Sequence, residues 1–306
     1  MFLGLDTSNY TTSAAVVCGE EILRDERIPL YVPEGRAGLR QSDALFQHWR
    51  NLPQLLSEPM RTYGSSLQGI CVSAVPRPAE ASYMPVFGAG VSAARMLADA
   101  LAIPLFETSH QEGHIKAAAR GTDIDLSQPL LAAHLSGGTT EFLYIDGESY
   151  EIAGGTRDIS YGQLLDRTGL LLGMDFPAGR ALDELAESGS ESDSLKAIGP
   201  VSVSGAWLNL SGIETQLKRH ADRESVQALA CTLFARIAES LISALAHLKQ
   251  ERGTDQVLIT GGVAASRTLR TLCRGQGYAF GAPSLCSDNA VGVALLKGRP
   301  LWQSNR

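Results

Sequence analysis

Cysteine is scarce and scattered in this chain. Cys18, Cys71, Cys231, Cys273 and Cys286 form no C-x-x-C pair, which argues against a disulfide framework and points to reduced thiols in a cytoplasmic protein. No run approaches the roughly 18–20 consecutive apolar residues of a membrane span, so no membrane association is expected. The opening Met1-Phe2-Leu3-Gly4-Leu5-Asp6 has no basic stretch and meets an acid at once, which reads as a strand and not a signal peptide. Positive charge is in the minority: 26 Lys and Arg against 33 Asp and Glu give a net charge of −7, which argues against nucleic-acid binding by the whole surface. An RNA partner would need a local basic patch or a second, basic protein. Low-complexity tracts are lacking too. Gly121–Gln128 is the one convincing linker, and Glu187–Ser194 reads as a solvated loop.

What is present begins with a repetition. Leu5-Asp6-Thr7-Ser8-Asn9-Tyr10-Thr11-Thr12 returns 128 residues later as Ala133-His134-Leu135-Ser136-Gly137-Gly138-Thr139-Thr140. Each copy reads as strand, hydroxyl-rich tight turn, strand. Such turns aim backbone N–H groups and hydroxyls at one point, which suits phosphate. The hydroxyl-rich turns holding Ser8 and Thr11 in the first copy, and Ser136 and Thr139 in the second, are therefore candidate phosphate contacts, with the two copies expected to grip one polyphosphate. The 306 residues, 44% apolar, suffice for two α/β lobes or one large domain. Strands are predicted at Phe2–Asp6, Ser13–Val17, Ile22–Pro29, Gly69–Ala74 and Ile103–Glu107, with helices over Ser42–Leu56 and Gly88–Ala102. The plan repeats with strands Leu130–Leu135, Glu141–Ile145 and Ser149–Ala153, helices Tyr161–Leu172 and Glu224–Lys249, and the strand Gln256–Thr260. A three-strand meander followed by alternating helices and strands is an α/β plan.

His110-Gln111-Glu112-Gly113-His114 opens a helix. Histidines at i and i+4 lie about 40° apart around the axis, so both can reach one metal ion, Fe²⁺ or Zn²⁺. Two capping or surface histidines are the plain alternative. Glu112 lies about 200° round from His110 and so does not make a zincin motif. Asp288, in Cys286-Ser287-Asp288-Asn289, is the best third ligand; otherwise it is an ordinary helix cap. Gly261 and Gly262 follow a strand and precede a helix, a corner whose free N–H groups suit a nucleotide. Asp166 could accept from ribose hydroxyls or pair with a neighbouring Arg. Phe176-Pro177-Ala178-Gly179 is a turn that would admit a flat ring. Arg267, Arg270 and Arg274 form a cationic helix stripe, either solvated or facing RNA phosphates.

Together these pieces resemble the tRNA threonylcarbamoyladenosine transferase family, also labelled glycoprotease or O-sialoglycoprotein endopeptidase. The likeness rests on His110–His114 for H-x-E-G-H, Ser136-Gly137-Gly138, Gly154–Asp158, Asp166-Arg167, Phe176–Gly179, Ser211–Thr215, Gly261–Ser266 and Cys286–Asn289, in that order along nearly the whole chain. It implies the actin-like ATPase fold: two duplicated RNase H-like lobes with a nucleotide cleft between them, the first over 1–120 completed by a C-terminal helix in 288–306, the second over 129–287. It implies that His110, His114 and Asp288 hold one divalent metal, and that Leu135–Thr139, Asp166, Gly179, Asp183 and Ser266 contact ATP or an acyl-adenylate. It further implies a smaller paralogue of the same fold and an ATPase helper as partners.

The chain also departs from the family pattern. Asn9-Tyr10-Thr11 replaces Cys-Asp-Glu, while Thr139, Glu214 and Ser266 stand for the usual His, Lys and Asn. Val75-Pro76-Arg77-Pro78-Ala79 and Ser82-Tyr83-Met84-Pro85 replace a G-P-G-L-x-G-S segment. The expected function is a metal- and adenylate-dependent threonylcarbamoyl transfer with tRNA adenosine as the inherited acceptor. Alternatives are a carbamoyl-type transferase with another acceptor, or an ATP-binding scaffold without catalysis. A kinase would need Asp158 or Asp6 as general base, and a metallopeptidase is disfavoured by the position of Glu112.

Overall fold

A computed structural model describes residues 1–8, 10–33, 38–78, 82–147, 149–189 and 195–298. The expectations placed on Asn9, on Ala79, on Ser190–Ser194 and on the C-terminal stretch after Gly298 lie outside the described residues. The contacts divide the chain into two compact units. One contains Met1–Val32, Gly38–Gly121 and the stretch beginning at Leu285; the other contains Thr122–Ser284.

In the first unit, β1 (Phe2–Asp6), β2 (Thr11–Cys18) and β3 (Glu21–Pro29) form the meander, and α1 (Gln41–Tyr63), β4 (Gly69–Val75), α2 (Phe87–Leu101), β5 (Leu105–Ser109) and α3 (His110–Ala119) follow. The sheet order is β3-β2-β1-β4-β5, with β1, β4 and β5 parallel. The second unit opens with the meander β6 (Leu130–Leu135), β7 (Thr140–Asp146) and β8 (Ser149–Thr156). It continues with α4 (Tyr161–Leu171), α5 (Gly179–Glu187), β9 (Ser202–Ser204), β10 (Trp207–Asn209), α6 (Ser211–His220), α7 (Val226–Arg252), β11 (Val257–Thr260), α8 (Arg267–Leu272) and β12 (Ala279–Phe280). Its sheet runs β12-β11-β6-β7-β8-β10-β9, so β8-β7-β6-β11-β12 repeats the order of the first unit. The repetition extends to register. Asp6 faces Ser13 across the first hairpin, and His134 faces Glu141 across the second, each displaced by 128 residues. The chain then passes α9 (Pro283–Cys286) and ends its described course in α10 (Val291–Leu296), which packs in the first unit.

Strand alternation accounts for the layers of the first unit. Leu3, Leu5, Ala14 and Val16 meet Leu52, Leu55 and Leu56 of α1 and Ala94 and Ala98 of α2 on one face of the sheet. Ala15 and Val17 point the other way, against Ala117 of α3 and Val291, Ala294 and Leu295 of α10. In the second unit α7 is the one described helix long and apolar enough to cross a membrane, and most of it is buried as a core helix.

Several boundaries differ from the sequence reading. The strand predicted at Ile103–Glu107 is Leu105–Ser109, because Pro104 has no N–H to give the ladder; its carbonyl instead accepts from Ile70. α1 runs to Tyr63 through Pro53 and Pro59, since Leu52, Leu55, Leu56 and Pro59 continue the buried face and packing outweighs the local preference. The turn at Phe176–Ala178 leads into α5, which was not predicted; neither were α6, β9 and β10. The predicted helix after the glycine pair begins as a 3₁₀ turn over Gly262–Ala265 before the short α8.

One contact fixes where α10 lies. A Cβ built on Gly292 would strike the backbone of Gly113 and Ala117, so α10 approaches α3 as backbone on backbone. Gly292→Ala is therefore expected to destabilise the protein by about 1–3 kcal/mol in urea unfolding. Gly88→Ala, with open space around it, should leave stability unchanged or raise it by up to ~1 kcal/mol. Equal behaviour of the two variants would contradict the packing described.

Candidate functional site

The first unit gathers four ionisable side chains at the carboxyl ends of β1 and β5 and the start of α10. β5 delivers the chain into α3 through a capping box: the Ser109 hydroxyl accepts from the Glu112 N–H, and Glu112 accepts from the Ser109 N–H. Glu112 Oε2 also accepts from the hydroxyls of Thr108 and Ser109 at 2.8 and 2.9 Å. That carboxylate holds the cap and is not placed as a peptidase base. His110 and His114 then stack one turn apart, edge to face, with ring centroids 4.4 Å apart.

Asp288 completes the predicted trio. Its Oδ1 lies 3.6 Å from His110 Nε2 and 3.4 Å from His114 Nε2. Two ligands at about 2.1 Å from one tetrahedral ion sit roughly 3.4 Å from each other. The spacing and the N, N, O donor set therefore fit a divalent transition metal such as Zn²⁺ or Fe²⁺. Asp288 is not the helix cap that was its alternative role: the neighbouring Asn289 carboxamide accepts from the N–H of Val291 and Gly292.

Two further groups were not read as metal neighbours. Asp6, 1% exposed, places Oδ2 at 2.6 Å from His110 Nδ1, while its Oδ1 accepts from the Ser8 N–H at 2.7 Å. His48 on α1 is fully buried, with Nδ1 at 2.9 Å from the Thr12 hydroxyl, which also accepts from Asn51. Neither partnership was visible in sequence, because 104 residues separate Asp6 from His110 and 36 separate Thr12 from His48. Ser8 itself is buried, and its hydroxyl has no hydrogen-bond partner among the described residues; Thr11 opens β2 beside it.

In the second unit the predicted nucleotide residues are tied together. Ser136 closes its turn by accepting from the Thr139 N–H, and the Ser160 hydroxyl at the start of α4 donates to the Gly137 carbonyl at 2.8 Å. Gly261, at φ +93°, lets β11 turn against the backbone of Leu135, where a Cβ would collide. The structure thus brings Leu135–Thr139, Gly261 and Gly262 into one region. Asp166 accepts from the Ala178 N–H at 2.9 Å and pins the turn leading to Gly179; it does not pair with Arg167, whose partner is Glu214. Burial raises the Asp166 pKa.

Two expectations are corrected here, and one disfavoured alternative loses a candidate base. The N–H groups opening α8 do not stand free: Asp183 accepts from Arg267 and Thr268, and Ser266, which caps Leu269, donates to Asp183 at 2.6 Å. The cationic stripe does not form, because Arg270 bonds the carbonyls of Ala264 and Gly281, Arg267 pairs with Glu187, and α8 ends before Arg274. Asp158 cannot serve as a kinase base, since its carboxylate accepts from the N–H of Ile159, Leu210 and Ser211, bonds that hold its pKa low against a partial loss of solvent.

The electrostatics of the first unit oppose one another. Burial alone would lower the His110 pKa, but the Asp6 carboxylate facing it raises it to about 9. His48 has no carboxylate in hydrogen-bond contact among the described residues, and burial drives it down to about 4 against the weaker pull of Asp6 and Asp288. Burial and the charge on His110 lower His114 as well. Relative to an unfolded value near 6.5, folded His48 refuses a proton that the unfolded chain binds, so stability falls as pH drops from about 6.5 to 4. Folded His110 keeps a proton that the unfolded chain has lost, so stability falls again as pH rises from about 6.5 to 9. The melting temperature of the metal-free protein should therefore peak near neutrality, and His110→Gln should lack the alkaline decline. An alkaline decline that persisted in that variant would refute the assignment.

Comparisons with known proteins bear on family and fold. The family profile described as tRNA N6-adenosine threonylcarbamoyltransferase matches residues 38–295. A protein of that description from Methanopyrus kandleri is 30% identical over 95% of this chain and 85% of its own length. Among solved structures, full-length HypF in its phosphate- and nucleotide-bound form superposes with a TM-score of 0.62 at 12% identity, covering 98% of this chain and 56% of HypF. The activator of the 2-hydroxyisocaproyl-CoA dehydratase from Clostridium difficile, with bound ADPNP, gives 0.53 at 15% identity, covering 96% and 92%. Those two likenesses speak to fold, which is the actin-like ATPase architecture built from a duplicated α/β unit. By the extent of the family match, the chain belongs to the tRNA N6-adenosine threonylcarbamoyltransferases, a family of transferases.

Proposed function

We propose that this chain transfers a threonylcarbamoyl group from its adenylate to a tRNA adenosine, with a divalent cation in the first unit. The observation that carries the proposal is the convergence of two imidazoles and one carboxylate at ligand spacing, in a chain whose relatives are named for that transfer. His110, His114 and Asp288 would hold Fe²⁺ or Zn²⁺, which when bound supplies Lewis-acid stabilisation of charge on a phosphate or acyl oxygen. The Ser136–Thr139 turn, fixed by Ser160 and by Gly261, offers preset N–H groups to the adenylate, so orientation supplies much of the rate. In the first unit the Ser8 N–H and the Thr11 N–H are taken up within the turn, so the Ser8 and Thr11 hydroxyls are what that turn would offer to a phosphate. Asp166 and Asp183 would act mainly by holding Gly179 and Ser266 in place.

The exposed aromatic side chains Tyr31, Phe46 and Trp49 support the further proposal that partner proteins assist, and the net charge of −7 supports RNA contact through such a partner. A second reading has a specific basis: Tyr10 and Thr11 stand where the family carries acids, which favours a changed acceptor or a binding role without turnover.

Threonylcarbamoyl-adenylate, tRNA and the cell's partner proteins should together yield modified adenosine with this chain present. Binding of the adenylate without transfer would rule out the inherited reaction and leave the scaffold. Purified protein should carry one equivalent of Fe or Zn, and His114→Ala should lose it while remaining folded. No metal in either sample would remove the cation from the proposal.

A further inference from the structure

Asp6 joins the two features of the first unit that the function uses. A carboxylate only accepts hydrogen bonds, so His110 Nδ1 must carry the proton in their 2.6 Å contact. The other ring nitrogen, Nε2, is the one facing Asp288 at 3.6 Å. The second Asp6 oxygen accepts from the Ser8 backbone N–H at 2.7 Å. That donor cannot reverse, so the orientation of the carboxyl group is fixed from the turn. We infer that Asp6 is the positioning residue of the metal centre: held by the Ser8 N–H, it keeps the proton on His110 Nδ1, so that Nε2 is the nitrogen that gives up its proton when a cation binds.

This inference rests on the metal reading above and adds a residue that touches neither cation nor substrate. Its consequence is specific to one atom. In Asp6→Asn the amide has nearly the shape of the carboxylate, but its carbonyl oxygen must stay on the Ser8 N–H, because an amide NH₂ there would meet a second donor. The NH₂ group is then forced toward His110 Nδ1. A donor at that point takes the Nδ1 lone pair and moves the ring proton to Nε2, where it blocks the cation. Asp6→Glu keeps an acceptor in place of a donor.

Zinc titration monitored by calorimetry, with nitrogen-15 histidine spectra of the same samples, separates the outcomes. The wild type should bind Zn²⁺ and show a His110 Nδ1–H signal. Asp6→Asn should lose that signal and bind Zn²⁺ about 10–100-fold more weakly, with its circular dichroism unchanged. Asp6→Glu should retain the Nδ1–H signal and most of the affinity. Equal zinc affinity in wild type and Asp6→Asn, or an Nδ1–H signal that survives in Asp6→Asn, would overturn the inference while leaving the metal site standing. Equal loss in both variants would also overturn it, because acceptor character would then not be the cause. A wild type that binds no Zn²⁺ would overturn the metal reading itself.

Discussion

The first unit depends on how closely α10 can lie on α3. Gly292 sets backbone against the backbone of Gly113, the residue directly before His114. Asp288 lies four positions before Gly292, so this approach decides whether its carboxylate reaches the two imidazoles. Side chains on both helices would hold the axes apart at the ordinary 8–10 Å. Small residues at the crossing remove that barrier, and the buried surface of Val291, Ala294 and Leu295 keeps the helices together. The ligand spacing is thus a consequence of core packing several residues away.

The same unit carries an unusual load of buried polar groups: Asp6, Ser8, Thr12, Ser13, His48, Glu112 and His114 all lie below the surface. Burying charge is costly unless it is paired, and the structure answers with pairing that differs from group to group. Asp6 and His110 form an ion pair, Glu112 is taken up by the helix cap, and His48 stays neutral with Thr12 and Asn51. Parallel sheets commonly place ligand sites at the carboxyl ends of their strands. Here β1 and β5 end in Asp6 and in the cap that starts α3, so the topology collects these groups and the hydrogen bonds then order them.

The second unit meets the demand for a fixed turn by other means. Where the first turn is held by a carboxylate, the second is held by Ser160, by the Thr140 hydroxyl accepting from Tyr161, and by the approach of Gly261 to Leu135. The 128-residue repeat therefore preserves hairpin and register while the supporting contacts have diverged. Aspartates 158, 166 and 183 each grip the backbone of a following helix or its leading turn. In doing so they take on structural work that a reading for chemistry alone would assign to a ligand.

Local pattern determines much of this protein. The duplicated turn, the two meanders, the helical pairing of His110 with His114 and the exclusion of Glu112 all follow from periods of 2 and 3.6 residues and from turn chemistry, which act over short distances along the chain. What remained hidden was set by contacts between distant segments. The extension of α1 through two prolines came from a core that α1 alone does not reveal. The capture of Arg270 by the Ala264 and Gly281 carbonyls dissolved a stripe, and Asp183 took up the N–H groups at the start of α8, which looked free in one dimension. The partnership of Asp6 with His110 joins residues that meet only after β1, β4 and β5 align in one sheet. Sequence named the donors; tertiary packing alone decided which oxygen and which nitrogen face one another, because hydrogen-bond geometry depends on separations of a few tenths of an ångström that no spacing along a chain encodes.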